Sequence, residues 1–452
     1  MKMNCYRYVP LLTVLCFVFF HSSSWAGGGS GILTLEGSIA LALQRSVMIH
    51  AAEEGVLGAE AQKREALTGF LPKLSTSYSY TRFNVNPYFK VPAGAFGPGT
   101  PASTITSGTQ DNYIWSSEVR QPLFAGGGIL ANYEASRLGF DISRMEASAA
   151  VQDVVREVKV SYFSILKAEK LVGVARQSLE QLKSHLNTAR NFFEVGLIPR
   201  NDVLQSEVQV ANGEQALIRA ENGLELARSR FNTVLRRDIN APVRLEDVLT
   251  YRSYDRTLEQ SIAAALEGRP EIRGQALRVD QARSQVKLAR SDYYPVISAV
   301  GHYERVGDTP GVTGSAFKDG ENWYVMGQAS WTFWEWGKTK SRVDAVRSRE
   351  SQSRDHLVHL QDQVTLEVKD AYLLLKEAEK QILVTQKIIE QAQENYRINE
   401  ERYKEQVSTS TDVLDALTLL TRAKSDYTTA LGDYNINQAR LERAMGMVYS
   451  KN

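Results

Sequence analysis

Leu35-Glu36-Gly37-Ser38-Ile39-Ala40 returns later in the chain as Leu258-Glu259-Gln260-Ser261-Ile262-Ala263. At that shift Pro72 meets Pro295. At a shorter one Phe124 meets Trp334, Gly127 meets Gly337, and Asp202-Val203-Leu204 meets Asp412-Val413-Leu414. The sequence is therefore a duplication, and a repeat of this kind decides the fold before any single element does. The length difference between the copies falls within positions 84–111, rich in Gly, Pro, Ser and Thr; the counterpart is about 307–321.

Each copy reads as helix, two strands, long helix, tight turn, helix. The first repeat covers 27–240, with strands near 73–83 and 112–124, a long helix over 129–193 and a returning helix over 202–236. A linker follows over 241–257. The second repeat, 258–447, has strands near 296–306 and 322–334, a long helix over 339–403 and a returning helix over 412–445. A short tail, 448–452, closes the chain. In the second copy Gly268-Arg269-Pro270 breaks the opening helix, because proline cannot sit in a helix interior. Pro72 and Pro295 end the next helix and open a strand.

The strands alternate with period two. Leu74, Thr76, Tyr78 and Tyr80 share a face opposite Ser75, Ser77 and Ser79, and Tyr113, Trp115 and Val119 oppose Glu118 and Arg120. In the second copy Ile297, Ala299 and Tyr303 oppose Ser298, His302 and Glu304; Trp323, Val325, Ala329 and Trp331 oppose Gln328 and Ser330. Segments of about ten residues with one aromatic or apolar face suit a tilted membrane strand. Trp331, Phe333, Trp334 and Trp336 crowd one strand end like an interfacial girdle. The same pattern also fits a half-buried sheet of a soluble protein.

The helices weigh against that alternative. Residues 129–193 hold no proline, and about 65 residues at 1.5 Å each span roughly 97 Å. Val172, Leu179, Leu186 and Phe193 repeat every seven residues, as do Ile382, Ile389, Tyr396 and Tyr403. The returning helices carry two seams. Val203, Val210, Leu217, Leu224 and Phe231 are large, and Ser206, Gly213, Ala220 and Ala227 are small. Val413, Leu420, Tyr427, Tyr434 and Leu441 repeat the large seam, with Ala416, Ala423 and Ala430 as the small one. Sustained heptads mean coiled-coil contact, and two seams mean neighbours on both sides, as in a ring of helices. The short helix before the strands and the returning helix together match the long helix in length, so they can stack end to end beside it. One chain supplies four strands, and a membrane barrel needs at least eight, closed so that no edge meets lipid. Two chains give eight and three give twelve; a through-channel favours three.

The first 26 residues read as an export signal: Lys2 and Arg7, an apolar Val9 to Phe20, then Ser24-Trp25-Ala26. Cys5 and Cys16 both lie within it, so the exported remainder has no thiol for a disulfide, a metal site or a nucleophile. Cys16 follows Leu15 and Cys5 lies too early, so lipidation is not expected. The chain carries Lys+Arg 53 against Asp+Glu 52, and losing two bases with the signal leaves it near neutral. That balance argues against a nucleic-acid partner, which needs a basic face. Gly337-Lys338-Thr339 lacks the first glycine of a phosphate-binding loop, since position 332 is Thr. His356 and His359 read as solvated helix residues before a metal pair. No enzyme and no cofactor are expected.

Together with Pro122-Leu123-Phe124-Ala125-Gly126-Gly127 and the turn Val195-Gly196-Leu197 ahead of Asp202-Val203-Leu204, this ordered duplication resembles the TolC-type outer-membrane efflux proteins over about residues 33–447. The resemblance implies an α+β membrane protein: a homotrimer with a 12-stranded β-barrel in outer-membrane lipid, continuous with a long periplasmic α-helical barrel. It implies a passive exit duct for efflux or type I secretion that meets a periplasmic adaptor protein and an inner-membrane transporter. The alternative is a periplasmic coiled-coil scaffold or envelope tether that transports nothing. By resemblance, Val195, Gly196 and Leu197 form an adaptor-docking tip, against the plainer use of Gly196 as a helix stop. The second tip, Glu405-Gln406-Val407, lacks the glycine. Asp412 and Asp415 resemble the carboxylate pair ringing the entrance, while Asp412 also suits a helix N-terminus. The first copy has Gln205 in the second place of that pair. Tyr403 and Asp202 resemble a latch on the closed tip, and Ser408 stands where the family has an arginine.

Overall fold

The computed structural model describes residues 32–447; the expected export signal and the C-terminal tail lie outside the described residues. The two copies open alike. Helix α1 (Leu35–Arg45) is capped by the Thr34 hydroxyl, which accepts from the Gly37 N–H at 3.0 Å. Its counterpart α5 (Leu258–Gly268) starts at a full capping box, in which Thr257 and Gln260 bond reciprocally. Ser46 separates α1 from α2 (Val47–Thr68), and Arg269 separates α5 from α6 (Pro270–Ser291), where proline takes the first helical position and costs no hydrogen bond.

After Pro72 comes β1 (Lys73–Arg82), then β2 (Tyr88–Val91), β3 (Ser103–Thr106) and β4 (Asp111–Ala125). After Pro295 come β5 (Val296–Gly307) and β6 (Glu321–Ser330). Four strands form one antiparallel sheet in the order β1-β4-β5-β6, so β1 and β6 each have one unpaired edge. Register puts Leu74 opposite Val119, Tyr78 opposite Trp115 and Tyr80 opposite Tyr113 on a single face. Val325 opposite Gly301 and Trp323 opposite Tyr303 continue it. The other face carries Ser75, Glu118, His302 and Tyr324, and the Arg120 guanidinium donates to Gln328 at 2.8 Å.

Two strand expectations need correction. The last strand ends at Ser330 instead of near 334, because Ser330 pairs with Val296 and the next partner would be Pro295, which has no N–H to give. Trp331, Phe333, Trp334 and Trp336 therefore follow the strand as exposed loop residues. The stretch 84–111 also holds a β2–β3 hairpin, too short to show a period in sequence. The same left-handed backbone precedes both long helices, at Gly126 (φ 58°) and Trp336 (φ 52°). Glycine is required at the first, where a Cβ would lie 2.5 Å from the Ser291 carbonyl oxygen.

The long helices α3 (Gly128–Glu194) and α7 (Lys338–Lys404) each have 67 residues. The returning helices are α4 (Arg200–Val234) and α8 (Ser410–Ala444). Helices α2 and α4 both pack along α3, while α6 and α8 fill the space between α3 and α7. The result is a layer of four columns with α2/α4 at one border and α7 at the other. Halfway along, the chain between α4 and α5 straps the columns together. Tyr162, fully buried, donates to the carbonyls of Leu33 and Glu246, and Tyr434 donates to that of Arg252. Arg443 joins Asp153 at 3.0 Å and Glu271, which also bonds Arg269. Burial alone would raise the Glu271 pKa; the two guanidiniums outweigh it and bring it down to about 2. No described helix is long and apolar enough to cross a membrane.

Candidate functional site

At the end remote from the sheet, both helix pairs turn by the same backbone device. At the first tip the Gly196 N–H donates to the Phe193 carbonyl (2.9 Å) and the Leu197 N–H to that of Phe192 (2.8 Å). At the second, Gln406 donates to Tyr403 (3.0 Å) and Val407 to Arg402 (2.8 Å). Both are Schellman motifs with a left-handed residue, Gly196 at φ 78° and Gln406 at φ 63°. The missing glycine thus changes the strain of the second turn and leaves its shape alone. Each turn presents an exposed apolar side chain: Val195 (68% exposed) and Leu197 at the first, Val407 (63%) at the second.

The next turns diverge. Thr409 caps α8, and the Asp412 carboxylate accepts from the Thr409 N–H (3.0 Å), the Thr409 hydroxyl (2.8 Å) and the Ser408 hydroxyl (3.1 Å). These bonds, the backbone one first, hold the Asp412 carboxyl below its ordinary pKa. The equivalent first-copy cap is Pro199, which has no N–H, so Asp202 cannot close a box and its carboxylate makes no hydrogen bond among the described residues. Ser408 bonds Asp412 and does not reach toward the other tip. Asp415 is exposed and, among the described residues, bonds no cation or donor.

Tyr403 is buried between the hairpins, 3% exposed, and its hydroxyl has no hydrogen-bond partner among the described residues. Burial, and then the charge of Asp202, raise its pKa. The structure therefore brings Tyr403 and Asp202 into electrostatic range and does not bond them. The Tyr403 ring lies 4.9 Å from that of His185 and 5.5 Å from that of Phe192. His185 is a residue that the sequence reading passed over. It stands seven positions after Ser178, and both polar side chains bond α8, Ser178 to Thr421 at 2.9 Å and His185 to Ser410 at 2.8 Å. Polar residues repeating at heptad spacing beside an apolar seam were the available signal. Among the described residues no three His, Cys, Asp or Glu side chains gather as metal ligands.

The sequence profile of the outer membrane efflux proteins matches residues 38–235 and again 261–447. The chain belongs to that family. Outer membrane protein TolC of Escherichia coli (strain K12) is 22% identical over 349 residues, 70% of this chain and 69% of that protein. The solved outer membrane protein VceC of Vibrio cholerae superposes with a TM-score of 0.78 at 17% identity, over 91% of this chain and 96% of that one. The Campylobacter jejuni CmeC outer membrane channel gives 0.77 at 17% identity, over 99% and 93%. The efflux-protein fold accounts for the duplicated helix–strand–strand–long-helix unit and places the molecule in the outer membrane, with its long helices in the periplasm. For this efflux-family chain, the sheet is the membrane end and the two Schellman turns are the periplasmic end.

Proposed function

We propose that three copies close into a passive outer-membrane exit duct, the last part of a tripartite efflux or type I secretion assembly. The observation that carries this reading is the pair of matched open borders. The sheet is unpaired at β1 and β6, and the helical layer ends at α2/α4 and α7. Open edges cannot persist in hydrocarbon, so β6 of one copy must meet β1 of the next, with α7 meeting the neighbouring α2/α4 column. Two copies would make an eight-stranded barrel filled by side chains; three make a twelve-stranded one with a lumen. Leu74, Trp323 and Val325 then face lipid, while Glu118, His302 and Gln328 line the water-filled side. Substrate moves by diffusion, with no chemical step.

At the periplasmic tip, the exposed turn Val195-Gly196-Leu197 is the docking point for an adaptor that bridges to an inner-membrane transporter. Asp415, exposed and unpaired, supplies the threefold carboxylate ring, and Asp412 supports it from the capping box. Three like charges near a common axis favour cations and bind divalent or trivalent ions. Tyr403, with Asp202 in electrostatic range, keeps the tip closed by packing against His185 and Phe192 of the first hairpin.

Planar-bilayer recording of the purified protein, with its assembly mass measured in detergent, tests the reading. The expected result is a trimer with cation-selective conductance. A stable monomer that never conducts supports a scaffold instead. Orientation is checked by a cysteine at Ser103, at the hairpin end of the sheet. It should react with an impermeant thiol reagent on whole cells, and labelling only after envelope disruption reverses the topology.

A further inference from the structure

The tip contains a buried ionisable ring that the reading above leaves without a task. His185 is 6% exposed and sits where α3, α4, α7 and α8 converge. Its Nε2 lies 2.8 Å from the Ser410 Oγ, which lies 3.3 Å from the Ser206 Oγ; Ser206 in turn donates to the Asp202 carbonyl at 2.9 Å. This run of bonds crosses from the α3–α4 hairpin to the first turn of α8. In the tip half of the hairpins the side-chain links Ser178–Thr421, Gln177–Lys424 and Gln205–Thr411 are partly or fully exposed, whereas the His185–Ser410 bond is sealed from water. A buried hydrogen bond that must be broken without immediate replacement by water resists opening far more than an exposed one.

We propose that His185 is a closing latch of the tip: bonded to Ser410 it ties the second hairpin to the first, and by taking up a proton when exposed it releases them. The proposal rests on this end being the channel entrance. The ring can bond Ser410 in either tautomer, because a hydroxyl both donates and accepts. What the closed tip does not accommodate is the charged ring. Tyr403 on α7 lies against the ring, with the Asp202 carboxylate of α4 in electrostatic range of that tyrosine; beyond them, Arg190 on α3 is bonded to Glu207 on α4 at 2.7 Å and Asp412 on α8 is held in its capping box. None hydrogen-bonds the ring. Burial accordingly lowers the His185 pKa from its ordinary 6.5 to about 4.

The sign follows from linkage. A group whose pKa is lower in the closed form than in the open one penalises the closed form as pH falls between the two values. From pH 7 to pH 5 the closed tip loses on the order of tenfold in relative population per chain. The latch is therefore tight in a neutral periplasm and slack in an acidified one.

The test is planar-bilayer conductance of the purified full-length channel at pH 7.5 and pH 5.0, for the wild type, His185→Gln and Ser410→Ala. Wild type should conduct more at pH 5.0, by tenfold or more in open probability. His185→Gln keeps a hydrogen-bonding side chain but cannot charge, so its conductance should stay low and flat with pH. Ser410→Ala should leak at pH 7.5. If His185→Gln fails to assemble, as judged by loss of the heat-sensitive oligomer band, His185→Asn takes its place with the same expectation. An unchanged pH response in the non-titrating variant, or a wild type indifferent to pH, overturns the latch alone. A protein that conducts at neither pH in any variant overturns the channel reading and the latch with it.

Discussion

Leu204 and Leu414 occupy the same position of the duplicated returning helix, yet Leu204 is 48% exposed and Leu414 only 3%. Their helices carry the same large and small seams. Helix α8 has α3 on one side and α7 on the other, so both seams are covered within the chain. Helix α4 has α3 alone along its length and meets α8 near the tip, leaving Val208, Ile218 and Leu226 exposed as well. The duplication thus made one helix an interior column and its copy a border column. These exposed side chains lie off both seams of α4, on a face that its copy buries at Leu414, Thr428 and Ile436, and such a face marks where the next subunit belongs.

The largest expected effect comes from truncating the two leucines. Leu414→Ala should cost about 2–5 kcal/mol of folding stability, as for other buried leucines, read as loss of helical circular dichroism at lower temperature. Leu204→Ala should leave the helices intact and lower the temperature at which the detergent-solubilised oligomer separates into monomers. If both variants behave alike, the border assignment fails.

The turns give the next contrast. Gly196→Gln puts a side chain into a left-handed position and should cost about 1 kcal/mol, while Gln406→Gly should recover a similar amount. Thermal melts of the paired variants should move in opposite directions.

A smaller effect concerns the caps. Pro199→Thr supplies the N–H and hydroxyl that the first copy lacks and should add about 0.5–1 kcal/mol by drawing Asp202 into a capping box. It should also remove the Asp202 charge from the neighbourhood of Tyr403, lowering the pH at which that tyrosine ionises in an ultraviolet titration. In the second copy the box already exists. Because the Asp412 pKa is depressed, its contribution is present above the ordinary aspartate pKa and fades as pH falls through the lowered value.

The smallest change in stability, and the clearest in function, should follow Asp415→Ala. Block of single-channel current by a trivalent cation should weaken with trimer stability unchanged. Asp412→Ala should instead fray the start of α8 and alter block less. Equal losses of block in both would restore a pair of equivalent gate carboxylates.

Much of the fold was legible because it is periodic. Pro72 and Pro295 stand directly before β1 and β5, and the heptads of α3 and α8 name the side chains that meet. Period says nothing about where a carboxylate turns. Asp202 and Asp412 are each followed by Val-Leu, and a proline against a threonine three residues earlier leaves the first carboxylate without a bond and turns the second back on its own helix. At Gln406 the sequence shows only a missing glycine, although the hydrogen bonds of the turn hold a glutamine in the same left-handed backbone. His185 went unnoticed since a single histidine in a long helix carries no signature until its partner on α8 is known.

The unpaired edges of β1 and β6 also dictate an order of events during biogenesis. Each bare N–H and C=O along those edges would cost several kcal/mol in hydrocarbon. On the proposed three-chain barrel, a lone chain is barred from the bilayer, and the three are expected to meet in water before any of them inserts. The rate of that encounter climbs more steeply than the supply of chains. Halving synthesis should therefore more than halve the number of finished pores and leave the surplus in the periplasm, exposed to proteases.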